Sequence, residues 1–421
     1  MLHKGECFCT ECGKRFKTYE ALFKAKLPIH NIEYDVFCAL NHKNPDLLQS
    51  VSDIRNNKKY DLIGTPIIKK ESGEVKSIEV KVKHTDTESP VTIRSDNTNR
   101  YCPYCFEDKI ETKVHEMMGY TDSFLVSMVG LRDVGKTCMV ESICSRNGIS
   151  KLANYLDKTK RTVCQTKQNK RISAATGINK LIITNYLQIR VTRWRKVTIY
   201  FGDVAGESFQ QKEENGGNTD FQVKLENMLL DNSDGGIFLH DERDWNCKDL
   251  DIRQYRYYAG YEEIYNDDSY ESEQSDLKSD KRSEGVSNRI SILYDSFIDK
   301  GIPTLCVLTK GDELKEFVIN HGNVLKPKDG NIIVTSKSPV FNSATDGYKL
   351  PFDKETEAVV LAQHMACAND VMRELVQGEI QIRDDTPCFI ISSGIKEGDT
   401  IHYDKSCNVL LPLLYLMRKW F

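Results

Sequence analysis

Gly130-Leu131-Arg132-Asp133-Val134-Gly135-Lys136-Thr137 is the stretch from which the rest of the chain can be read. It matches the pattern G-x-x-x-x-G-K-[ST] at every fixed position. The residues on either side suit such a loop. Phe124 to Val129 is a short apolar run, as a buried strand requires, and Lys136 to Asn147 reads as a helix with Gly148 placed to cap its C-terminus. Glycines let the backbone turn tightly, so that N–H groups from Gly130 through Asp133, Val134, Gly135 and Cys138 surround an anion. The helix N-terminus adds partial positive charge, Lys136 is suited to the β- and γ-phosphates of a nucleotide, and the Thr137 hydroxyl to Mg²⁺. Four fixed positions recur by accident in about one or two chains in a hundred of this length. The loop therefore needs companions downstream, and the sequence supplies them.

The chain has 421 residues, with 58 Lys+Arg against 62 Asp+Glu. That near balance gives no global field favouring nucleic acid or a membrane surface. No apolar stretch reaches the length of a membrane span, and the opening Met-Leu-His-Lys-Gly-Glu-Cys is polar. The expectation is a cytoplasmic protein with no membrane partner. The length accommodates a cysteine-rich module over 1–112 and a nucleotide domain over 113–421, interrupted by a polar insertion around 262–285.

Of the 14 cysteines, six fall at Cys7, Cys9, Cys12, Cys38, Cys102 and Cys105. The later ones mostly sit in apolar or helical runs and read as small core residues. Cys9-Thr-Glu-Cys12 and Cys102-Pro-Tyr-Cys105 are two C-x-x-C turns. Together they offer the four sulfurs of a closed structural Zn²⁺ site, with Cys7, Cys38 and His42 as alternative ligands. Between the turns, Glu74 to Lys83 alternates as a half-exposed strand, and Pro90 to Arg94 reads as another. The lysines of the first have no stacking aromatics among them, so a solvated face is expected rather than a nucleic-acid reader.

After the loop helix comes a long polar section, Ser150 to Lys180, and then two strands, Leu181 to Arg193 and Lys196 to Phe201. The second delivers Asp203-Val-Ala-Gly206. Asp203 is placed to hold Mg²⁺ through water, and the Gly206 amide to sense the γ-phosphate. Gly235 to Asp241 is a further strand, followed by a hydrophilic excursion with too few apolar residues to bury. Helix Val286 to Asp299 leads into the strand Ile302 to Leu308, which ends in Thr309-Lys310-Gly311-Asp312. There the Asp312 carboxylate can accept from both N1–H and the N2 amine of guanine, a pairing adenine cannot offer. The Lys310 stem would lie along the base. Lys354 to Gly378 has helical character, Pro387 to Gly394 reads as the last strand and its loop, and Asn408 to Phe421 as a packed terminal helix.

These segments, Gly130–Thr137, Asp203–Gly206, Thr309–Asp312 and Ser392–Gly394, resemble in order and spacing the P-loop GTPase superfamily, in its translation-factor-like and Ras-like class. The resemblance implies a three-layer α/β sandwich with a mostly parallel sheet and an antiparallel edge strand, preceded here by a small zinc-stabilised α+β module. It implies GTP and GDP as ligands, and base contacts from the backbone of Ser393 and Gly394. It also implies a first switch threonine, for which Thr162, Thr166 and Thr176 lie in the right interval and Thr176 is favoured. Lys136, Thr176 and Glu207 would form the catalytic set. Glu207 departs from the glutamine that many small GTPases carry after Asp-x-x-Gly, which puts intrinsic hydrolysis in question. Cysteine knuckles joined to such a domain, with a terminal Leu-Pro-Leu-Leu-Tyr-Leu helix, are also similar to the double-GTPase-like families of bacteria. Those are associated with multi-protein, defence-type systems, which implies a protein effector or components encoded nearby.

The sequence thus leads to a slow GTP hydrolase acting as a nucleotide switch toward a protein partner. A GTP-binding interaction module without turnover and a zinc-dependent nucleic-acid-associated NTPase are the alternatives.

Overall fold

Short alternating runs dominate the first part of the chain, and in the computed structural model they form strands. The structure describes residues 5–29, 32–39, 46–49, 60–71, 74–84, 90–95, 100–108, 110–114, 118–119, 121–130, 134–158, 162–167, 181–192, 195–204, 219–240, 283–312, 314, 361–362, 364–369, 371–372, 382–397, 400–403 and 406–421. By its internal contacts the chain forms two units, Leu2–Ser123 and Phe124–Phe421.

In the first unit, β1 (Glu6–Phe8) and β2 (Arg15–Lys17) form an antiparallel hairpin. Next come β3 (Leu22–Ile29), β4 (Ile32–Ala39) and β5 (Asp46–Gln49), then β6 (Tyr60–Glu71), β7 (Glu74–His84) and β8 (Val91–Ser95). The unit closes with β9 (Arg100–Tyr101), the short helix α1 (Pro103–Glu107) and β10 (Lys113–Val114). One sheet has the order β10-β9-β3-β4-β5, and β6-β7-β8 form another. Leu22, Phe37 and Phe106 make a small core with Tyr101 packed on it. An α+β module is expected from the sequence. Among the described residues of the unit, helix is limited to α1 and one 3-10 turn at Thr18–Glu20, and these residues are predominantly β. The alternating runs at 74–83 and 90–94 become β7 and β8.

The second unit is built on β11 (Asp122–Gly130), every residue of which is buried. It continues through α2 (Lys136–Cys144), α3 (Arg146–Lys158), β12 (Thr162–Lys167), β13 (Leu181–Thr192), β14 (Arg195–Val204), α4 (Thr219–Asn232), β15 (Gly235–His240) and α5 (Ser283–Asp299). Beyond α5 lie β16 (Thr304–Leu308), β17 (Cys388–Ile390), β18 (Ile395–Glu397), β19 (Thr400–His402) and α6 (Leu411–Trp420). The seven-stranded sheet has the order β12-β13-β14-β11-β15-β16-β17. β11, β15, β16 and β17 pair in parallel, whereas β12–β13 and β13–β14 pair antiparallel. Alternation along β15 divides the layers. Ile237 and Leu239 join the core shared with Met139 and Val140 of α2 and Leu413 of α6, while Phe238 meets Tyr294 and Phe297 of α5 edge-on.

The structure corrects three details. The helix expected over Lys136–Asn147 stops at Cys144, because Ser145 is extended (φ −64°, ψ 160°). Ser145 instead caps α3: its Oγ accepts from the Gly148 N–H at 3.0 Å. Gly148 therefore sits in the first turn of α3, where an added Cβ would come within 2.2 Å of the Ser142 carbonyl oxygen. Its role is close approach between turns, not capping. Second, the polar section from Ser150 contains the rest of α3 and then β12. Ile149, Leu152, Ala153 and Leu156 carry the helical period that its polar composition obscured. Third, the terminal helix begins at Leu411 rather than Asn408, because Asn408 is left-handed (φ 58°) and Pro412 lies in the first turn. The insertion around 262–285 lies outside the described residues up to 282. None of the described helices is long and apolar enough to cross a membrane.

In the helical stretch 364–369, His364 is fully buried, stacks on Phe389 and accepts the Ile390 N–H on Nε2 at 3.2 Å. Burial lowers its pKa from 6.5 to about 3. Between those values the unfolded chain binds a proton that the folded chain does not, so stability falls as pH falls through this window, by at most about 1.4 kcal/mol per pH unit. Denaturant titrations at pH 7 and pH 5 should show that loss in the native chain. It should be smaller in His364→Gln, whose amide oxygen can still accept from Ile390.

Candidate functional site

The sheet's carboxyl edge gathers the motifs that lie far apart in sequence. The loop after β11 turns through Gly135, which adopts φ 89° as N-cap of α2. Lys136 is buried, and its Nζ donates to the Gly130 carbonyl at 2.9 Å. One residue on, the Thr137 hydroxyl donates to Asp203 Oδ2 at 2.8 Å, reaching the end of β14. Thr309 Oγ1 lies 2.8 Å from the Val134 carbonyl and 3.0 Å from that of His240, and its amide donates to His240 O at 2.8 Å. The phosphate loop, Asp203 and the start of Thr309–Asp312 are thus linked by hydrogen bonds.

Lys310 is left-handed (φ 57°), the Gly311 amide donates to Ile391 O at 2.8 Å, and Asp312 is half-buried. That bond joins the Thr309–Asp312 segment to the one carrying Ser393 and Gly394. Cys138 is half-buried in the first turn of α2. Asp133, Thr176, Gly206 and Glu207 lie outside the described residues. A hydroxyl beside a carboxylate is an oxygen donor pair of the kind Mg²⁺ prefers, and Thr137 with Asp203 fits that ion. Sequence reading did not single out Tyr403, whose hydroxyl donates to Glu141 Oε2 across 262 residues. No spacing rule connects positions so far apart.

In the first unit, the turn of the β1–β2 hairpin carries Cys9 and Cys12. Cys9 N–H donates to Lys14 O, and Gly13 N–H returns to Cys9 O. Cys102 opens α1, and its Sγ accepts from the Cys105 N–H at 3.5 Å. The two turns meet, with Cys9 Sγ 3.5 Å from Cys105 Sγ and Cys12 Sγ 3.6 Å from Cys102 Sγ. All four sulfurs lie within 4.8 Å of one another. A tetrahedral zinc with Zn–S bonds of about 2.3 Å holds its sulfurs about 3.8 Å apart, so the cluster fits that ion.

Cys7 does not join the cluster. Its thiol donates to Met118 O at 3.6 Å and lies 3.7 Å from an Arg100 guanidinium nitrogen, and burial pushes its pKa up. The side chains of Cys38 and His42 lie outside the described residues. Within the four, hydrogen bonding with Cys102 pulls the Cys9 thiol down to about 5, while burial pushes Cys105 up to about 12.

No protein-family model matches the chain, and neither does any curated protein. Among solved structures, a crystal structure of an Aquifex aeolicus Era variant bound to GDP and aluminium fluoride is similar at 12% identity with a TM-score of 0.26. The similarity covers 71% of this chain, which spans 57% of that one.

Purified protein should carry about one zinc ion per chain. Elemental analysis should find it lost in Cys102→Ser and kept in Cys7→Ala. Because bound thiols are deprotonated, release of the ion to a chromogenic chelator should accelerate as pH falls.

Proposed function

We propose that the second unit binds a guanine nucleotide with Mg²⁺, hydrolyses GTP slowly to GDP, and acts as a nucleotide switch toward a protein partner. The observation carrying this reading is the hydrogen-bonded convergence of three motifs: Thr137 on Asp203 at 2.8 Å, and Thr309 on the Val134 carbonyl at 2.8 Å. Neither bond is required by β-pairing or helix formation. Both tie together residues whose types suit one ligand.

In this reading the amides of Gly130 to Cys138 surround the β-phosphate, and Lys136 exchanges its bond to Gly130 O for phosphate oxygens. Thr137 and Asp203 hold Mg²⁺, which when bound neutralises charge developing on the phosphates. Asp312 accepts from guanine, Lys310 lies along the base, and the amides of Ser393 and Gly394 meet its O6. Thr176 and Gly206 contact the γ-phosphate side, and Glu207 accepts a proton from the attacking water. The four-cysteine cluster holds structural Zn²⁺ in a module through which the partner is engaged.

Glu207 also supports a second reading, a GTP-binding module with negligible turnover. A carboxylate at that position can repel the γ-phosphate instead of activating water.

Turnover of GTP and ATP by the purified protein with Mg²⁺ tests the proposal. GDP should form slowly and ATP should be spared. Asp312→Ala should reduce the preference for guanine by about ten- to a hundredfold, and Lys136→Ala should abolish nucleotide binding. Equal use of ATP would sink the guanine assignment. In Glu207→Gln, loss of turnover supports the hydrolase, whereas a large gain supports the binding module.

A further inference from the structure

Between β17 and α6 the chain makes an excursion closed at its base by a reciprocal pair of backbone bonds. Ser392 N–H donates to Cys407 O at 2.9 Å, and Cys407 N–H donates to Ser392 O at 2.7 Å. Inside that closure lie the Ser393–Gly394 turn and then the antiparallel pair β18–β19. The turn is backed by the returning strand. Gly394 adopts φ 145°, and a Cβ there would lie 2.9 Å from the His402 carbonyl oxygen and 3.1 Å from Ile401 Cγ2. The position of β19 therefore sets the position of the turn.

The residue after His402 is Tyr403, whose hydroxyl donates to Glu141 Oε2. Glu141 lies on α2 one helical turn beyond Thr137, so the two face the same side of the helix. Burial, and next the Glu141 carboxylate, raise the Tyr403 phenol, which keeps its proton as a donor at neutral pH. A continuous path thus runs from the helix behind the phosphate loop, through Glu141, Tyr403 and His402, to Gly394. Ser393 Oγ is shielded from solvent and has no hydrogen-bond partner among the described residues.

We propose that Tyr403 is a positioning residue for recognition of the base: by bonding Glu141 it holds β19, and so the Ser393–Gly394 turn, at a fixed distance from the phosphate loop. The inference rests on the guanine-nucleotide reading above and adds a determinant of its selectivity. Amides held in place oppose the N6 amine of adenine and welcome the O6 of guanine. Amides free to shift discriminate less. Thr137 and Thr309 make their bonds to Asp203 and Val134 without Tyr403, so loss of the clamp is expected to leave phosphate affinity unchanged.

The test uses the full-length protein and three probes: GDP, ADP and inorganic triphosphate. Tyr403→Phe keeps the ring and removes the hydroxyl. It should speed GDP release about tenfold and reduce the GDP-over-ADP preference by a similar factor, with triphosphate affinity unchanged. Glu141→Ala should do the same. Glu141→Gln, which retains an oxygen acceptor for Tyr403, should stay within about threefold of the native chain. The proposal is overturned if Tyr403→Phe leaves GDP release and base preference untouched, or if triphosphate affinity falls in step with GDP affinity, as general loosening of the fold would produce. A native chain that binds triphosphate but shows no preference for GDP over ADP would instead overturn the guanine reading, and this proposal with it.

Discussion

One hydroxyl ties together the carboxyl edge of the seven-stranded sheet. Thr309 sits just past β16, and its side chain spans the carbonyls of His240, at the end of β15, and Val134, inside the loop after β11. A loop between a strand and a helix has no ladder partner for its backbone. Its carbonyls must find donors elsewhere, and Val134 is fully buried, out of reach of water. Thr309 provides that donor. In doing so it ties the loop after β11 to the segment Lys310–Asp312 that follows it. Its methyl group also packs 3.9 Å from where a Cβ at Gly135 would project, so the same side chain abuts the left-handed residue that starts α2.

A comparable constraint governs the first unit. Among the described residues, Leu22, Phe37 and Phe106 with Tyr101 form one small apolar cluster in it. The two cysteine turns lie 90 or more residues apart, at opposite ends of the strands they enclose. Joining the ends of so long a segment is an entropic cost that grows only slowly with length, and a metal ion held by the four sulfurs would help offset it. The fifth early cysteine serves a different contact. Arg100, fully buried between β8 and α1 in sequence, donates to Met118 O at 2.5 Å and reaches the Cys7 sulfur. Cys7 is thus part of the packing around a buried guanidinium, a role invisible in the cysteine spacing.

What the sequence displays and what it hides follow from the range of the interactions. β11, β15 and β16 were legible because strands covered on both faces read as continuous apolar runs. β7 was legible because one of its faces is polar. α3 and β12 were missed because their apolar residues are diluted by lysine, asparagine and threonine, so composition outweighed period. The break at Ser145 was missed although a serine before a helical period is a start signal, since the preceding apolar residues carried the pattern through it. Motif residues such as Lys136, Asp203 and Thr309 announce themselves by local spacing. Their tethers, Thr309 to Val134 across 175 residues and Tyr403 to Glu141 across 262, obey no local rule and become visible only when the fold brings them together.

Those tethers also divide the work expected of the two ends of a bound nucleotide. Lys136 and Thr137 already have internal partners in Gly130 O and Asp203, so a phosphate and its cation would exchange bonds rather than add them. The net gain per contact is the difference between the two. The affinity of such a site would rest on charge and on the number of amides converging at once. The base end is different in kind. Selectivity there depends on donors and acceptors that stay where they are when the wrong base arrives, since a turn that yields can accommodate adenine as readily as guanine. On the guanine-nucleotide proposal, rigidity behind Gly394, supplied by His402 and its neighbour Tyr403, would therefore contribute to discrimination alongside the contacts made to the base itself.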